Sequence, residues 1–210
     1  FGRIQHALVR CARGRRLIDP APVAAADATG LETRHVSAHF GMRRAGPGHR
    51  QRAWPKLTAV VHAHSHLILG AVPGVGPSQD SPDFAPAMRQ AAGLVAIDTA
   101  LADAAYDAEH NHRLCREDLG VRHTAIPLNP RNAGRRWPKA PYRRAMRRRF
   151  PRDLYHQRWH AESGFSQHKR RLGSALTARG DAAQGRELVL QTEEDLVDGG
   201  SRHDRHEGAP

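Results

Sequence analysis

Apolar positions along this chain come in short runs, most of them too brief for helices. Residues 23–27 (Val-Ala-Ala-Ala-Asp) form a small-residue run ending in an acid, which predicts a buried strand with a turn at Thr29-Gly30. Residues 34–40 alternate. Residues 56–70 (KLTAVVHAHSHLILG) read as one long strand or a hairpin, and the Gly-, Arg- and Pro-rich stretch 41–55 reads as the loop before it. A helix is predicted over 83–92, capped by Ser81 or Asp83 with Pro82 near its start. A second apolar run, 95–102, is followed by Asp103. A helix over 107–119 is stopped by Gly120, and a short strand covers 124–128. This order predicts an α/β fold with an antiparallel hairpin near its start: a mixed central sheet flanked by helices.

The longest helical pattern opens at Pro151 and Asp153 and closes at Gly173. Leu154, Ala161, Phe165 and Leu172 form the stripe that such a helix buries. To one side of it lie Tyr155, Arg158, Glu162 and Lys169, all within roughly 60° of arc. A phenol, a guanidinium, a carboxylate and an ammonium thus share one line. Arg158 and Glu162 also fit an ordinary i, i+4 surface pair, although Arg before Glu is the weaker order. Trp159 lies beside the stripe and fits simple packing or a contact with a partner. Gly164 costs about 1 kcal/mol inside a helix relative to Ala; close backbone approach by a partner and packing on a strand both explain it.

Charge changes the picture. The chain of 210 residues carries 33 Lys+Arg against 21 Asp+Glu, a formal +12 with pI near 11.1. That balance points to a polyanion, most often nucleic acid, although a basic coding bias also produces it. Only Lys56, Lys139 and Lys169 are lysines, and one of them falls on the stripe. Residues 131–152 hold nine Arg, one Lys and no acid: a solvated basic loop or a clamp on the DNA backbone leading into the Glu162 helix. The two cysteines, Cys11 and Cys115, have no metal-binding spacing and fit a reduced, cytoplasmic protein. The most apolar stretch, 57–75, is too broken by His, Gly and Pro to span a membrane.

Two apolar runs end in Asp27 and Asp103, and the stripe offers Glu162. Converging carboxylates repel one another unless cations sit between them. Mg²⁺ and Mn²⁺ prefer such ligands, and two ions can hold the attacking and leaving oxygens of a displacement at phosphorus. Asp98 and Asp107 compete with Asp103 as second acid. Asp98 has an odd offset that turns it to the other face of the strand, and Asp107 lies past the strand end.

The blocks around these acids resemble those of the DDE transposases of bacterial insertion sequences. Tyr155, Arg158, Glu162 and Lys169 match each position of the pattern Y-x2-R-x3-E-x6-K, which closes the catalytic region in one group of that family. Residues 25–31 (AADATGL) are similar to its first block, an Asp followed by Thr-Gly. Residues 101–107 (LADAAYD) are similar to its second. The resemblance covers roughly residues 20–190 and implies a ribonuclease-H-like core. It implies Asp27, Asp103 and Glu162 as catalytic and metal-binding residues with two Mg²⁺ or Mn²⁺ ions. It also implies that Tyr155, Arg158 and Lys169 contact DNA, with Trp159 as a further candidate. The implied partners are double-stranded DNA with terminal inverted repeats and target DNA, with a homodimer on DNA and a nucleoid-associated, cytoplasmic location.

Three segments are therefore expected: a basic N-terminal remnant over 1–19, the catalytic domain over 20–190, and an acidic, disordered tail over 191–210. The start at Phe1 and the change of composition near Thr192 read as a fragment, and the family's usual N-terminal helical region is not recognised. An inactive DNA-binding remnant is thus the alternative function. A weaker one is a zinc hydrolase built on His62 and His64, which would share a face with His66 if all three lay on one strand. His110 and His112 are expected at the surface.

Overall fold

The computed structural model describes residues 2–33, 53–130 and 137–203. The expected strand at 34–40, most of the loop 41–55 and residues 131–136 of the arginine segment lie outside them.

The sheet is built around β1 (Val23–Gly30), β3 (Trp54–His62), β4 (Ile68–Gly76), β5 (Thr99–Ala102) and β6 (His123–Ala125), in the order β4-β3-β1-β5-β6. β1 runs antiparallel to β3 and parallel to β5, and β5 runs parallel to β6. A separate two-stranded sheet joins β2 (Glu32–Thr33) to β7 (Ala175–Leu176). The central strand reads as an unbroken apolar run because both of its faces are covered. Ala24 and Ala26 belong to the cluster of α1 (Gly2–Gly14) and α2 (Ser81–Leu94), while Ala25 packs in the cluster of Phe165 and Leu188 on the other face. This is the mixed, helix-flanked sheet of a ribonuclease-H-like fold.

Residues 56–70 form a hairpin rather than one strand: β3 ends at His62, and the chain turns through 63–65 before β4. β5 is shorter than the apolar run that predicts it. Val95 and Ile97 are buried in the core, but sheet pairing starts only at Thr99. The expected helix over 107–119 is α3 (Glu109–Arg113), continued as a π-helical stretch over Leu114–Asp118. Within the basic segment lies α4 (Pro141–Arg148). The last long helical pattern is three pieces: α5 (Arg152–Tyr155), a 3-10 turn (His156–Arg158) and α6 (Trp159–Leu172). Gly173 ends α6 with φ 92°, a backbone conformation that glycine adopts without a Cβ clash.

The first and last described helices pack with the sheet. Val9 and Ala12 of α1, with Leu17 and Ile18, are buried in the first cluster, so the basic N-terminal segment packs with the domain. α7 (Asp181–His203) crosses the expected boundary at 191 as a helix, seated through Leu188 and Thr192 one turn apart. Among the described residues, no helix is long and apolar enough to cross a membrane.

Candidate active site

The register of the sheet sets the two aspartates side by side. Ala26 pairs with Ala102 across parallel strands, and the residue after each is an aspartate: Asp27 within β1 and Asp103 just past the end of β5. Asp103 caps the following 3-10 turn (Ala104–Tyr106) by accepting from the Ala105 N–H at 2.8 Å. The Ala28 N–H donates to Asp27 Oδ1 at 2.9 Å. Burial raises the Asp27 pKa, and the charge of Asp103 pushes the same way; Ala28 and Arg158 oppose them without prevailing.

Arg158 links the third acid to the first of these two. Its Nη1 donates to Asp27 Oδ2 at 3.0 Å and its Nη2 to Glu162 Oε1 at 2.7 Å. The i, i+4 pair is therefore more than a decorated surface, because the same guanidinium ties α6 to β1. Burial opposes the Arg158 charge, but Asp27, Tyr155, Glu162 and Asp103 outweigh it and raise the pKa. Arg158 lies 5.9 Å from the centroid of the Tyr155 ring. Burial is also the main reason the Tyr155 pKa is raised. Lys169 Nζ donates to the Gly30 carbonyl at 3.0 Å. Every member of the stripe thus meets β1 or a neighbour on the stripe, even though the segment from Tyr155 to Lys169 is not one regular α-helix.

Gly164 is explained by packing on a strand. A Cβ there would stand 2.9 Å from Val61 Cγ1 of β3. Phe165 is buried as predicted, and Leu154 packs against the same cluster. Trp159 is 56% exposed and stacks on His160, with ring centroids 3.9 Å apart.

The competing acids are engaged elsewhere. Asp98 precedes β5, at the opposite end from Asp103, and pairs with Arg122 at 2.8 Å. The Asp107 side chain is wholly buried and accepts from Arg143 Nε and Nη2 at 2.7 and 2.8 Å. The expected single face of His62, His64 and His66 does not form, because the strand ends at His62. His62 is buried against Ser65, 2.7 Å away; His64 lies in the turn; His66 turns to His160, 2.9 Å away, with a φ of 60°. Of the two histidines expected at the surface, His110 is exposed, whereas His112 is buried against Thr124. Sequence reasoning missed the Asp107–Arg143 pair and the Gly30 carbonyl. The first joins residues 36 apart, and the second is a main-chain atom, so neither leaves a local signal.

The residues suit a hard divalent cation in kind: three carboxylates, two of them adjacent, with a positive charge already standing between Asp27 and Glu162. That charge is the Arg158 guanidinium. Among the described residues, no three His, Cys, Asp or Glu groups are gathered closely enough to share one ion in this arrangement.

A family model described as a transposase DDE domain matches residues 19–192. No curated protein matches the chain. The match begins just before β1, ends within α7, and so takes in both aspartate strands and the Glu162 helix. The chain belongs to the DDE transposase family.

Proposed function

We propose that this chain is the catalytic core of a transposase that cleaves phosphodiesters at transposon ends and transfers the freed strands. The observation that carries the reading is the Arg158 bridge, which draws Asp27 and Glu162 together from distant parts of the chain, beside Asp103. Asp27, Asp103 and Glu162 would hold two Mg²⁺ or Mn²⁺ ions. Once bound, these would activate a water or 3′-hydroxyl and stabilise the leaving oxyanion. Arg158 and Lys169 would neutralise phosphates next to the reacting one, trading their present acceptors for phosphate oxygens. Tyr155 would hydrogen-bond or stack near the same phosphate, and the exposed ring of Trp159 suits a base drawn out of the duplex. The partners would be double-stranded DNA with terminal inverted repeats and target DNA, met by a homodimer in a nucleoid-associated, cytoplasmic setting.

Cleavage of terminal-repeat DNA by the purified chain, with and without Mg²⁺, tests this. Asp27→Ala and Asp103→Ala should each bring cleavage below detection while duplex binding persists. Cleavage that survives either substitution overturns the assignment. A second reading, an inactive DNA-binding remnant, is favoured by one observation: Arg158 holds Glu162 in an ion pair, and no three acids gather around one point among the described residues. Salt-sensitive binding without cleavage by the wild-type chain would support that reading.

A further inference from the structure

The arginine segment divides its charges. Arg143 turns inward to the buried carboxylate of Asp107, which also accepts from the Asn129 N–H at 2.8 Å. Glu109 caps the start of α4, accepting from the Tyr142 and Arg143 N–H groups at 3.1 and 3.0 Å. Tyr142 stacks on His112 with the rings 14° from parallel. Arg144 is spent on the carbonyls of Pro138 and Lys139. Arg147, Arg148 and Arg149, by contrast, are exposed.

A helix so rich in like charges repels itself, and pairs at i, i+4 are destabilising. This one is nevertheless fixed at its first turn by two acids, Asp107 just past the 3-10 turn and Glu109 at the start of α3. Its position is also tied to the acid site twice. Asp103 and Asp107 flank the same 3-10 turn, one capping its start and the other following its end. Phe150, just past α4, packs edge-on against Tyr155 with centroids 5.0 Å apart. Exposed guanidinium groups therefore stand at a set offset from Asp103.

We propose that α4 is a docking rail for the phosphate backbone of duplex DNA, anchored by Asp107 and Glu109, with Arg147 and Arg148 contacting phosphates without regard to base sequence. The proposal rests on the transposase reading for its partner, but it is tested without catalysis. Binding of the full chain to a labelled duplex of arbitrary sequence is followed by fluorescence anisotropy across a salt series, in EDTA. Two lost phosphate contacts should make the slope of log K against log salt shallower by about 1.8 in Arg147→Ala/Arg148→Ala. Arg147→Lys/Arg148→Lys should restore it, since lysine neutralises phosphate as a point charge. Both side chains are exposed, so the variants should match the wild type in circular dichroism. An unchanged slope in the alanine variant overturns the rail, as does a loss that lysine does not restore. Failure of the catalytic reading would appear separately, as absent cleavage with this slope change intact.

Discussion

His62 shows how one residue is committed to the fold and lost to chemistry. Burial pushes its pKa down to about 4, and Asp19, 3.5 Å from Nε2, only partly offsets this. The unfolded chain keeps the ordinary value near 6.5, so between those values the unfolded state binds a proton that the native state refuses. Stability from this residue is full above pH 6.5 and falls as pH drops toward 4. Urea denaturation should show the wild type losing about 2 kcal/mol more than His62→Gln between pH 7 and pH 5. Equal losses would show that His62 does not titrate in this way. At the same scale, the residues of the candidate site were legible as residue types and spacing: Asp27, Asp103 and the Tyr155–Lys169 stripe. Their pairing was not. Arg158 reaches Asp27 across 131 residues, and only the sheet register and the lie of α6 determine that contact. The histidine spacing misled for a related reason, because a period of two assigns a shared face only while the strand continues.

Among the elements, α6 depends on the absence of one side chain. Gly164→Ala would set a methyl against Val61 Cγ1 and force the helix or the strand to shift. We expect a loss of about 1–3 kcal/mol, from overpacking rather than from helix propensity, which favours alanine. Val61→Ala should recover part of it, giving a coupling in a double-mutant cycle that independent sites lack. Element ends were legible where backbone chemistry marks them: Pro82 and Gly173 stand where their helices start and stop. The outer helices were not. Among the residues of α1 whose burial is described, Val9 and Ala12 are buried within an arginine-rich sequence, and α7 begins and ends among charged residues, so their packing is hard to read from the chain alone. Their partners on the sheet decide that they pack.

For the whole molecule, the sheet has two covered faces, and the N-terminal segment closes one of them. Leu17 lies in the same cluster as Phe84, Tyr106 and Ile126. Leu17→Ala should therefore cost about 2–5 kcal/mol, as deep core truncations do. Both proteins should unfold in a single transition whether followed by far-UV circular dichroism or by tryptophan fluorescence. Two separated transitions, or no loss, would show that residues before β1 fold apart from the domain. The alternation of strands and helices made the fold class legible, since few layer arrangements satisfy that order.

The close seat of α6 on β3 has a consequence for speed. Gly164 brings the helix against Val61, while Arg158 and Lys169 tie it to β1, so rolling it would break packing and polar contacts together. Among the described residues, turning the Glu162 side chain breaks one ion pair, and that carboxylate is 62% exposed. Exposed side chains change rotamer in picoseconds to nanoseconds, whereas helices shift over microseconds or longer. The acid can thus reorient many times during a single encounter with a partner, on a scaffold that stays still.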